Sequence, residues 1–136
     1  MTFLHYNTGY KTCLLVDDDL DDQEIFAMAL GQVNAAIRCE FANDGIEALD
    51  KLRNENASPP DYIFLDLNMP RMDGRQCLIE IKRQFHLKDI PLVVYSTSSD
   101  EDFQAEMKRL GATAYIVKPA LISILKMNLL EFFSQY

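Results

Sequence analysis

An α/β fold, with one parallel sheet covered by helices on both faces, is what this sequence predicts. Three features predict it: short apolar runs alternate with longer segments of helical period, the alternation occurs five times, and acidic residues recur where the runs end. The first run, over 12–16, leads through Asp17-Asp18-Asp19 into a helical segment over 19–33. The second pair covers 37–42 and 44–54, and its helix opens on Asp44-Gly45-Ile46-Glu47, the pattern of a capping box. The third covers 61–65 and 73–85 after the loop Asn56-Ala57-Ser58-Pro59-Pro60; Cys77, Leu78, Ile81 and Phe85 recur there at the spacing of a core face. The fourth covers 91–96 and 99–110, with Ser98-Ser99-Asp100-Glu101 as a second capping box, a stripe of Phe103, Met107 and Leu110, and Gly111 closing the helix. The fifth covers 113–117 and 120–133. Five such units joined by right-handed crossovers fit a flavodoxin-like (βα)5 three-layer sandwich with strand order 2-1-3-4-5.

With 136 residues and 49% hydrophobic content, the chain suits a single core. Residues 12–136 are expected to form it, after a short extension over 1–11 in which Phe3, Leu4 and Tyr6 pack locally. Twenty-one acidic against 13 basic residues leave a net charge of -8, which disfavours nucleic acid as a partner, because phosphate-backbone binding needs basic clusters. Cys13, Cys39 and Cys77 are odd in number and lack C-x-x-C spacing, so they read as small core residues in a reducing compartment, without a disulfide framework. The first eleven residues lack an apolar signal core, and the longest apolar run, over 25–30, is far too short to cross a bilayer. A soluble cytoplasmic protein without membrane contact is expected. His5 and His86 stand alone and read as surface or loop residues.

Ligands of open parallel sheets bind beyond the carboxyl ends of the strands. Asp17 and Asp18 follow the first run, Asp66 the third and Lys118 the fifth, and the order 2-1-3-4-5 is expected to set those three strands side by side. Three carboxylates held close repel, so either one is protonated or a cation is bound. An all-oxygen donor set without His or Cys favours Mg²⁺, whose remaining positions accept phosphoryl oxygens. Mg²⁺, Lys118 and the Ser96 hydroxyl would then neutralise a phosphoryl group while the Asp66 carboxylate attacks it in line, forming an aspartyl phosphate. Asp19, Asp21 and Asp22 read instead as charges favouring the positive end of a helix.

Leu15-Val16-Asp17-Asp18-Asp19, the stretch from Leu65-Asp66 to Asp73-Gly74, Tyr95-Ser96-Thr97-Ser98 and Val117-Lys118-Pro119 together resemble the receiver domains of two-component response regulators over roughly 12–135. The intervals of 30 residues from Asp66 to Ser96 and 22 from Ser96 to Lys118 match that family's spacing. The resemblance implies Asp66 as phosphoacceptor, Asp18 as a direct Mg²⁺ ligand, Asp17 acting through metal-bound water and the Asn68 backbone carbonyl as a further ligand. It implies that Lys118 contacts the phosphoryl oxygens, that Ser96 rather than Thr97 is the hydroxyl switch, and that Tyr115 is the aromatic that turns inward. Lys118-Pro119 resembles the family's cis bond. The donor implied is a sensor histidine kinase or a histidine phosphotransfer protein. Output would come through contact with an unidentified downstream protein or a phosphate relay, with no fused output domain and no catalysis beyond the protein's own phosphorylation and dephosphorylation.

The last helix has a second apolar strip, Ile124, Met127 and Leu130, opposite the face formed by Leu121, Ile122, Leu125, Leu129, Phe132 and Phe133. The strip is expected to meet a partner or a second copy. Two other chemistries fit less well. A hydrolase of the haloacid dehalogenase type wants an Asp two residues after the nucleophile, where this chain has Asn68. A flavin carrier wants backbone N–H groups and glycine in the first loop, which here is anionic.

Overall fold

The structure is a computed structural model that describes residues 10–54, 56–68 and 73–136. Ten elements alternate: β1 (Lys11–Val16), α1 (Leu20–Val33), β2 (Ile37–Ala42), α2 (Gly45–Arg53), β3 (Tyr62–Leu65), α3 (Gly74–Arg83), β4 (Leu92–Ser96), α4 (Glu101–Arg109), β5 (Ala114–Val117) and α5 (Ile122–Gln135). The strands form one parallel sheet in the order β2-β1-β3-β4-β5, as the sequence predicts.

Side chains of successive strand residues point to opposite faces, so each central strand feeds two cores. Leu14, Val16, Ile63, Leu65, Leu92 and Val94 pack with Leu49, Leu78, Ile81 and Met107 under α2, α3 and α4. Cys13, Leu15, Phe64, Val93 and Ile116 pack with Phe26, Leu30, Leu125 and Phe132 under α1 and α5. Phe64 anchors the second core: its ring meets Phe26 edge-on at 4.9 Å and Phe132 at 5.6 Å. Burial of such rings supplies most of the stabilisation, and truncating Phe64 to alanine would cost about 3–5 kcal/mol.

Four helices begin on an aspartate whose carboxylate accepts backbone N–H groups of the first turn: Asp19, Asp44, Asp73 and Asp100. The Asp44 cap, accepting from Glu47, lies where the sequence places it. The cap of α4 falls two residues later than expected. Asp100 accepts from Asp102, while the Ser98 hydroxyl accepts from Asp100 and shapes the preceding turn. Gly111 adopts φ 117, the left-handed conformation that ends α4 without the clash a side chain would meet there.

Two apolar residues depart from their expected faces. Phe85 is 84% exposed because α3 ends at Arg83 and the chain turns, handing the buried slot to Leu87. Leu121 precedes the first turn of α5 and is also exposed. Lys11 already belongs to β1, one residue before the expected start, and the Tyr10 ring lies over the Arg38 guanidinium at 3.8 Å. The expected packing of Phe3, Leu4 and Tyr6 lies outside the described residues. No helix among the described residues is long and apolar enough to cross a membrane.

Candidate functional site

Strands β1, β3 and β5 deliver the site from one end of the sheet, but they are not side by side as expected, because β4 lies between β3 and β5. Asp17 follows β1 and donates its N–H to Ala42 of β2, and Asp66 follows β3 and donates its N–H to Val16 of β1. These ladder bonds hold both backbones at the sheet's rim. Lys118 follows β5, and its N–H donates to the Ser96 carbonyl at 2.7 Å. The Gln23 amide donates to the Asp17 carbonyl and to Asn43 Oδ1, tying the first turn of α1 to the loop after β2.

Carboxylate oxygens of Asp17, Asp18 and Asp66 lie within 4.8 Å of one another; Asp17 and Asp66 are buried and Asp18 is exposed. Lys118 Nζ reaches into the cluster, 2.8 Å from Asp17 Oδ2, 2.9 Å from Asp22 Oδ2 and 3.6 Å from Asp66 Oδ2. Three carboxylates thus face one ammonium, with Asp18 beside two of them. Burial pushes the Asp66 carboxyl above the ordinary carboxylate range and the charges of Asp17 and Asp18 add to the rise, against the pull of Lys118 and the Asn68 N–H. Burial likewise raises Asp17, against its hydrogen bonds from Lys118 and Asp19. Burial alone would lower Lys118, but its bonds to Asp17 and Asp22 and the charge of Asp66 outweigh that, so it is held above the ordinary lysine range. Tyr95, whose ring lies 5.1 Å from Lys118 Nζ, is pushed up to about 12, chiefly by burial.

The donor set fits a hard divalent cation, since it is all oxygen and its negative charge exceeds what Lys118 neutralises. Asp17, Asp18 and Asp66 could hold the ion. Asp66 Oδ1 accepts the Asn68 N–H at 3.3 Å, which fixes the turn after β3. Ser96 ends β4 fully buried with its hydroxyl accepting the Ser98 N–H, whereas Thr97 is exposed. The Tyr115 hydroxyl donates to the Ser98 carbonyl at 2.8 Å, and its ring stands edge-on to Phe103.

Two further expectations change. Asp22 is more than a helix-end charge, because one turn of α1 carries it back over the site and onto Lys118. Its place in the first turn after Asp17 and Asp18 was the available signal. The Lys118–Pro119 bond is trans, as are all peptide bonds among the described residues. The lysine is aimed by its N–H bond to Ser96 and its ion pairs instead. On α5, Ile124, Met127 and Leu130 all face solvent.

The family model for the response regulator receiver domain matches residues 13–129. The chain belongs to that family. This receiver domain is 36% identical over 112 residues to response regulator Rcp1 of a Synechocystis species, covering 79% of this chain and 76% of Rcp1. Among solved structures, a phosphorylated cyanobacterial phytochrome response regulator, RcpA, superimposes with a TM-score of 0.82 at 39% identity, over 90% of this chain and 91% of its own. The Mn²⁺-bound form of Rcp1 superimposes with a TM-score of 0.80 at 33% identity, over 91% and 92%. The receiver fold and the two-component signalling class follow from these matches.

Proposed function

We propose that Asp66 accepts a phosphoryl group from a phosphohistidine of a sensor kinase or histidine phosphotransfer protein, and that the charge so added switches a protein-contact surface. The observation that carries this reading is the Asp66 carboxylate, buried at the end of β3 with one oxygen 3.6 Å from Lys118 Nζ and with Asp17 and Asp18 beside it. An Asp66 oxygen attacks phosphorus as the bond to the donor imidazole breaks, and the ring nitrogen keeps that electron pair. Mg²⁺, held by Asp18, Asp66 and the Asn68 carbonyl, with Asp17 reaching it through water, would supply charge neutralisation for the incoming phosphoryl oxygens. Lys118 shifts its contacts from Asp17 and Asp22 towards those oxygens. Ser96 turns its hydroxyl the same way, releasing the Ser98 N–H, and Tyr115 then gives up the Ser98 carbonyl and rotates inward.

Residues 12–136 form the receiver unit in this reading, residues 1–11 precede it, and the protein works in the cytoplasm. RcpA is named a phytochrome response regulator, which makes a photoreceptor kinase the first donor to assay. The output surface includes the exposed α5 strip of Ile124, Met127 and Leu130, with a second copy of this chain as its occupant. Contact of the strip with itself buries apolar side chains against one another.

Incubation with Mg²⁺ and acetyl phosphate, followed by intact mass, tests the site. Wild type gains one phosphoryl group and Asp66→Asn gains none; equal gain by the variant would overturn the assignment. Sedimentation with and without phosphodonor tests the surface, and association that survives polar replacement of all three α5 residues removes the strip from it.

A further inference from the structure

Cys13 of β1 and Cys39 of β2 are direct register partners across the sheet. Paired residues on neighbouring strands stand about 4.8 Å apart, inside the roughly 4.4–6.8 Å separation of Cα atoms that a disulfide spans. Both side chains leave the sheet on the same face, since Cys13 lies in the core under α1 and α5 and Cys39 packs against that core. The Cys39 thiol donates to the Glu40 carbonyl at 3.8 Å. All three cysteines are free thiols, but they differ in access: Cys13 is fully buried, whereas Cys39 is half-buried on an edge strand. Cys77 is buried in the opposite core, across the sheet, and has no second thiol in that core.

We propose that Cys13 and Cys39 are a reversible oxidation site, closing to a cross-strand disulfide when a small-molecule disulfide of the glutathione type serves as oxidant. Cys39 is the entry point because the edge of β2 exposes it. Its thiolate attacks one sulfur of the oxidant, expelling one small thiolate and forming a mixed disulfide. The Cys13 thiol then loses its proton and attacks the Cys39 sulfur, expelling the second small thiolate. Two protein thiols give up two electrons and two protons, and the oxidant leaves as two thiols. Burial raises the Cys13 thiol well above its ordinary range, which makes the second step the slow one. The closed bond ties β1 to β2 around α1, the unit that carries Asp17, Asp18 and Asp22, and leaves Asp66 untouched.

The test equilibrates the folded full-length chain with oxidised glutathione, quenches in acid, unfolds the protein and alkylates with iodoacetamide before intact mass. Alkylation of wild type is expected to fall from three sites to one, mapped to Cys77, and to recover fully after reduced glutathione. Cys77→Ala, oxidised in the same way, should accept no alkyl group. In Cys39→Ser the disulfide is absent, and the midpoint of thermal unfolding, which oxidation raises by several degrees in wild type and Cys77→Ala, does not change. Three alkylations in treated wild type would overturn the proposal. So would closure seen only in denaturant, or a stable glutathione adduct on Cys39 with Cys13 still free.

Discussion

Replacing Gly74 with alanine strikes the point where α3 meets the turn that carries Asp66. A Cβ at Gly74 would fall onto the Leu67 Cα and the Asp66 carbonyl oxygen, and 2.7 Å from Leu67 Cδ2. Two of these three are backbone atoms, so no rotamer change relieves the overlap. Either the first turn of α3 or the segment after β3 must move. Overpacking costs about 1–3 kcal/mol even where flexible side chains absorb it, and the Gly74 N–H bond to the Leu67 carbonyl, 3.0 Å long, is worth about 1 kcal/mol more. A loss of about 3–4 kcal/mol is expected, near 10–15 °C in melting temperature for a domain of this size. Gly31 is the control: it lies in α1 with nothing within 4 Å of a Cβ. Gly31→Ala should therefore stabilise by about 0.5 kcal/mol through helix propensity. Urea unfolding followed by far-ultraviolet circular dichroism measures both, since the chain has no Trp. Mg²⁺ should also stabilise Gly74→Ala less than wild type, because the displaced carbonyl belongs to Asp66. A Gly74→Ala protein within about 1 kcal/mol of wild type would refute the close-approach argument.

Lys118→Met leaves Asp17, Asp22 and Asp66 without their shared cation, and removing one partner of a buried pair costs about 3–5 kcal/mol. Added Mg²⁺ should restore more stability to this variant than to wild type in thermal melts. The raised Lys118 contributes stability that is complete below the ordinary lysine value and is lost as pH rises through its folded value; alkaline denaturation of wild type should show that loss, and Lys118→Met should not. Asp17 and Asp66 are raised, so in the metal-free protein the stability they contribute at low pH disappears as pH rises through their folded values. Mg²⁺ must displace those protons, and the melting-temperature gain it causes should be full near neutrality and shrink as pH falls towards the ordinary carboxylate value; a gain independent of pH would contradict the site's electrostatics. Phe85→Ser should change unfolding free energy by no more than about 0.5 kcal/mol, whereas Leu87→Ala, at a fully buried position, should cost about 2–5 kcal/mol.

The alternation of apolar runs and helical segments determined the fold, because in a doubly covered parallel sheet each interior strand must be apolar on both faces and each helix on one. It placed Asp17, Asp18, Asp66, Ser96 and Lys118 at strand ends, and the spacing of those residues pointed to the receiver family. Positions set by the end of an element were legible for a local reason: a strand's last residue is decided by the chain beside it. What depended on distant packing was not. Phe85 kept the helical period yet left the core, since periodicity does not say where a helix stops. Asp22 looked like a helix-end charge until α1 was laid across the sheet and set it on Lys118. The lysine's aim came from the ladder and its ion pairs, through a trans bond. Gly74's intolerance of a side chain rests on the backbone of Asp66 and Leu67, and the meeting of Cys13 with Cys39 rests on a register between strands. Neither is a property of any short stretch of chain; both arise only when separate segments are brought within a few ångströms.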